Sequence, residues 1–78
     1  MYYVYILQCA DERFYVGFTG DLKKRLTRHR EGYIPATRRR LPVKLLVYIA
    51  FADKYKAYDF ERYLKSASGR AFTRKRLA

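Results

Sequence analysis

The chain opens on two short runs rich in β-branched and aromatic residues, Tyr2 to Gln8 and Phe14 to Phe18, on either side of the polar segment Asp11-Glu12-Arg13. That pattern predicts an antiparallel hairpin. Side chains alternate faces along a strand, so Tyr3 and Tyr5 share one side and Val4 and Ile6 take the other, and Tyr5 can stand close to Tyr15 across the pair. After Gly20-Asp21 the period changes. Leu22 and Leu26 repeat four apart, as do Arg25 and His29, and Asp21 is suited to accept from the first-turn amides of a helix. Arg25 and His29 occupy one stripe at the margin of the buried face, where polar tips can reach a cleft. Lys23, Lys24, Arg28 and Arg30 fill most of the remaining helix surface.

Gly32-Tyr33-Ile34-Pro35-Ala36 then breaks the helical pattern, and Arg38-Arg39-Arg40 precedes Pro42 in a connection expected to be an exposed loop. The apolar run from Lys44 to Ala50 predicts a third strand laid against the hairpin. Ala52-Asp53 opens a second helix, with Asp53 as its N-cap and Ala57, Phe60 and Leu64 facing inward. Glu61 falls among them. A buried carboxylate without a partner costs several kcal/mol, so either a divalent cation or a nearby arginine would compensate it, or it is a partly exposed partner of Lys65 at i,i+4. From Ser66 to Ala78 the pattern predicts a Ser68-Gly69 break and a short basic helix capped by Ser68 and docked by Phe72 and Leu77. The expected fold class is α+β: a small three-stranded, mainly antiparallel sheet flanked by helices, in a single domain over residues 1–78.

Charge narrows the partners. Lys and Arg are spread through the 78 residues and give a formal net charge of +11, which favours nucleic acid over other anionic partners. A ribosome-associated or merely solvated basic surface is the alternative. Cys9 is the single cysteine and cannot form an internal disulfide, and nothing local marks it for thiolate chemistry. The chain lacks a basic n-region and any apolar run near the roughly 20 residues that spanning requires. These features predict a soluble cytoplasmic protein with no membrane association.

The ordered set Tyr3-Val4-Tyr5, Tyr15-Val16-Gly17, Arg25 and His29 resembles the GIY-YIG nuclease family, in particular its small stand-alone bacterial members, which are related to the N-terminal domain of the excinuclease C subunit. The likeness runs over nearly the whole chain, with Tyr3 where the family name has Gly. It implies a metal-dependent endonuclease acting on phosphodiester bonds, with DNA the expected partner. Tyr5 and Tyr15 correspond to the two motif tyrosines, and either could be the general base. Glu61, a lone glutamate on the helix after the third strand, looks like the family's metal ligand for Mg2+ or Mn2+. His29 matches a histidine found one turn after the arginine in some members. Arg25 would then grip the scissile phosphate with its planar fork, while Lys24, Arg28, Arg38, Arg39 and Arg40 would contact the nucleic-acid backbone.

Two departures keep other readings open. Many members carry an asparagine after the metal-binding glutamate, and this chain contains no Asn. Phe18 stands where excinuclease-type members have a lysine. A nucleic-acid-binding module with weakened or absent catalysis is therefore an alternative, as is a basic assembly or ribosome-associated protein.

Overall fold

The computed structural model describes residues 1–78, and the strands form as their alternation predicts. β1 (Tyr2–Gln8) and β2 (Phe14–Thr19) pair antiparallel, with Tyr5 opposite Gly17 and Leu7 opposite Tyr15. β3 (Lys44–Phe51) pairs antiparallel with the other side of β1, so the order is β2-β1-β3 and β1 is the only strand flanked on both sides. α1 (Leu22–Arg30) lies between β2 and β3 in sequence, and α2 (Lys54–Lys65), α3 (Ala67–Phe72) and a π-helical turn α4 (Thr73–Leu77) follow β3. The α+β architecture matches the sequence expectation.

Two cores result, one on each face of the sheet. Val4 and Ile6 pack with Ala57 and Leu64 of α2, and Phe14, Val16, Phe60 and Phe72 close around them. On the other face Tyr5 and Leu7 pack with Leu26 of α1, beside Tyr15, Leu22 and Leu45. The continuous apolar run of β3 is explained by a bulge. Ile6 pairs with Val47 while Leu7 pairs with Leu45, which leaves Leu46 as the extra residue. The bulge breaks the two-residue period, so Leu45 joins the Tyr5 face while Leu46 and Val47 join the Val4 face.

Caps fix the helix starts. The Asp21 carboxylate accepts from the Lys24 amide at 3.0 Å, and Asp53 accepts from Tyr55 and Lys56 at 2.8 and 3.3 Å. The C-terminal cap differs from the sequence expectation. Ser66, not Ser68, accepts from the Gly69 amide at 3.1 Å, and its hydroxyl also donates to the Tyr63 carbonyl. One side chain thereby ends α2 and starts α3. Ser68-Gly69 lies inside α3 and is not a break. Gly69 is there because α3 crosses α2 too closely for a side chain: a Cβ at this position would lie 1.9 Å from the Tyr63 carbonyl oxygen.

Candidate active site at the edge of the sheet

The site begins with Gly17. A Cβ there would fall 2.2 Å from Tyr5 Cζ and 2.3 Å from its hydroxyl, so the bare glycine lets the Tyr5 ring cross β2. Tyr5 is fully buried, and its hydroxyl lies 2.7 Å from His29 Nε2. The other ring nitrogen of His29, Nδ1, is 2.7 Å from the Thr37 hydroxyl, and both His29 and Thr37 are also fully buried. Tyr5, His29 and Thr37 thus form one hydrogen-bonded chain through the smaller core. A neutral imidazole offers one donor and one acceptor, which satisfies both contacts in either tautomer.

The field at this chain keeps it neutral. Burial first, and the Arg25 charge second, push the His29 imidazole below its ordinary value. Burial pushes the Tyr5 phenol well above its ordinary value, with Tyr15 and Glu61 adding to the shift and Arg25 opposing it. Arg25 is therefore close enough to act on both groups. Tyr15 completes the cluster, with its ring centroid 5.2 Å from His29 and 6.3 Å from Tyr5. Unlike Tyr5, it is only half-buried. The position expected for His29, at the margin of the helix with its tip in a cleft, is corrected: Thr37 closes over it.

Glu61 comes from α2, whose Ala57 and Leu64 pack on the Val4 face, while Leu26 of α1 packs on the Tyr5 face. Glu61 makes no hydrogen bond or ion pair with Tyr15, Arg25 or His29. Its side chain is 13% exposed, and its carboxylate pairs with Lys65 Nζ at 3.2 Å, the i,i+4 partner that spacing allows. It also acts on the Tyr5 phenol, the group that Arg25 acts on with the opposite sign.

The domain resembles known proteins over almost its full length. A family model described as the GIY-YIG catalytic domain matches residues 1–76. The chain belongs to the GIY-YIG family. A UPF0213 protein of Lacticaseibacillus paracasei is 49% identical over 65 residues, covering 82% of this chain and 73% of that protein. A UPF0213 protein of Streptococcus pyogenes is 46% identical over 70 residues, covering 88% and 76%. The solution NMR structure of the UPF0213 protein BH0048 from Bacillus halodurans superimposes with a TM-score of 0.62 at 36% identity, over 96% of this chain and 82% of that one. Within this GIY-YIG domain Tyr5, Tyr15, Arg25 and His29 come together around Gly17, which gives the motif glycine its physical reason.

The cations expected on the surface divide. Lys24, Arg28, Arg38 and Arg39 are exposed, and Arg28 stacks over the Tyr33 ring with its guanidinium carbon 5.8 Å from the centroid. Arg40 differs: its Nε donates to Asp11 at 2.9 Å, tying the long connection to the β1–β2 turn. That bond holds the Asp11 carboxyl below its usual range. Thr37 carries no signal in the sequence, since a threonine between Ala36 and three arginines fits no period; only the folded connection brings it to His29. No helix is long and apolar enough to cross a membrane.

Proposed function

We propose that this GIY-YIG domain is a metal-dependent endonuclease that hydrolyses phosphodiester bonds, with DNA as its substrate. The observation that carries the reading is the buried Tyr5–His29–Thr37 chain beside Arg25 and the half-buried Tyr15. Apolar residues would fill a core of this size without the desolvation that three polar side chains incur, so the chain is explained by the groups it orients. Arg25 would donate two parallel hydrogen bonds to the scissile phosphate and offset charge in the transition state. Tyr5 stays protonated and covered, so its role is to position the site through His29. Tyr15, only half-buried, would contact the attacking water.

Glu61 fits a hard divalent ion. Mg2+ keeps several waters and needs only one or two protein carboxylates, with substrate phosphate supplying further oxygens. A single carboxylate on a mostly covered side chain, with a lysine as its sole partner, meets that need. When bound, Mg2+ or Mn2+ would supply charge neutralisation at the phosphate and the departing alkoxide. Glu61 would hold it, and Lys65 would release the carboxylate.

Single-turnover cleavage of branched, single-stranded and duplex DNA and RNA, with Mg2+ or EDTA, tests this. Glu61→Gln and Arg25→Lys should each lose about a hundredfold or more of metal-dependent cleavage, while Glu61→Gln keeps nucleic-acid affinity. Wild-type cleavage by Glu61→Gln would overturn the mechanism. The Lys65–Glu61 ion pair also suits a second reading, a nucleic-acid-binding module in which Glu61 only anchors α2. A protein that binds these substrates and cuts none with Mg2+ or Mn2+ would establish it.

A further inference from the structure

On the side of β2 nearest the C-terminus lies a cavity of about 570 Å³ with Arg13, Lys65, Arg70 and Arg74 in its walls. Its remaining walls include Tyr15, which belongs to the candidate site, and the carboxylate-bearing Glu12. The ion pairs of the protein are Arg40–Asp11 and Lys65–Glu61. Arg13, Arg70 and Arg74 therefore line the cavity without a carboxylate at ion-pair distance. Three unpaired guanidiniums around one cavity give it a positive potential that attracts an anion. Phe14, Val16 and Leu64 supply an apolar wall. The volume lies within the range of small-molecule sites, roughly 300–1,000 Å³, and exceeds what a lone phosphate fills.

We infer that this cavity is a binding subsite for one nucleotide of the substrate strand, adjacent to the phosphodiester held at Arg25 and Tyr15. The phosphate sits on Arg13, Arg70 and Arg74, and the sugar or base lies against Phe14 and Leu64. Two residues join the subsite to the candidate site: Tyr15 lines both, and Lys65 reaches the cavity while it pairs with Glu61. The subsite also assigns a purpose to the C-terminal helices. Ser66 turns the chain and Gly69 lets α3 lie against α2, which delivers Arg70 and Arg74 to the β2 edge. This inference rests on the reading of the domain as one that acts on polynucleotides.

The test is titration of the isotopically labelled full chain with a nucleoside 5′-monophosphate, inorganic phosphate and a short single-stranded oligonucleotide, followed by amide chemical shifts. The expected result is nucleotide-induced shifts at Tyr15, Lys65, Arg70 and Arg74, with weaker binding of inorganic phosphate. The double variant Arg70→Ala/Arg74→Ala should bind the nucleotide at least about tenfold more weakly. The double variant Lys54→Ala/Lys56→Ala removes the same charge elsewhere on the surface and should change affinity less than about twofold. Equal weakening by both double variants would overturn the inference, as would shifts confined to other residues or inorganic phosphate binding as tightly as the nucleotide. Cleavage is measured separately. A wild type that cuts nothing yet shows the nucleotide shifts supports the subsite and refutes only the proposed hydrolysis.

Discussion

The two faces of β1 differ in what they bury. Val4 and Ile6 meet Ala57 and Leu64, an apolar interface whose side chains have no chemistry beyond exclusion of water. One residue away in sequence, Tyr5 meets His29, which meets Thr37, three polar groups as fully buried as the aliphatic ones. Strand alternation puts a stabilising surface and an organised polar chain on opposite sides of the same seven residues. Stability and site geometry are thereby held by separate side chains, and substitutions can tell them apart.

The largest effect on folding belongs to the apolar face. Ile6→Ala should lose about 2–5 kcal/mol of stability, because neither β1 nor α2 can collapse into the space it leaves. Urea denaturation measures it, and a loss below 1 kcal/mol would mean that the Val4 face is less well packed than its burial indicates. Tyr5→Phe comes next, at about 1–3 kcal/mol, since the ring is kept and one polar atom of His29 loses its partner. Its larger consequence should be in cleavage, where Ile6→Ala in its folded fraction retains the wild-type rate. Equal cleavage by both folded variants would erase the distinction between the faces.

Acid should expose the same asymmetry more gently. His29 has a folded-state pKa below the 6.5 of an exposed imidazole. The unfolded chain therefore binds the extra proton first as pH falls. Stability from the neutral His29 is present above about 6.5 and declines below it, down to the folded-state value. His29 is the one histidine of the chain, so His29→Gln should flatten the slope of denaturation midpoint against pH between 7.5 and 5. A slope unchanged by the substitution would assign the proton uptake elsewhere. The smallest effect is expected outside both cores. Breaking the exposed Arg40–Asp11 pair with Arg40→Ala should change stability by no more than about 1 kcal/mol, and less at high salt. A larger loss would show that the long connection, and with it Thr37, depends on that tie.

Local pattern by itself determined the three strands, the start of α1 at Asp21 and of α2 at Asp53, and the alternation that separates Val4 and Ile6 from Tyr5. Those are short-range properties: strand period, helix period and caps act over a few residues. It also determined which side chains were candidates for chemistry, because Tyr5, Tyr15, Arg25 and His29 fall at spacings fixed by β1, β2 and α1. Only the tertiary structure decided the rest. The bulge at Leu46 depends on which faces α1 and α2 cover. Thr37 acquires a role because the connection after α1 folds back on His29, and Arg40 is tied by Asp11, 29 positions away in the chain. Ser66 rather than Ser68 became the cap because α3 packs on α2 through Gly69, a close approach that no helical propensity encodes. Glu61 was legible as an anomaly, but its pairing with Lys65 and its influence on the Tyr5 phenol follow from the packing of α2 against the sheet.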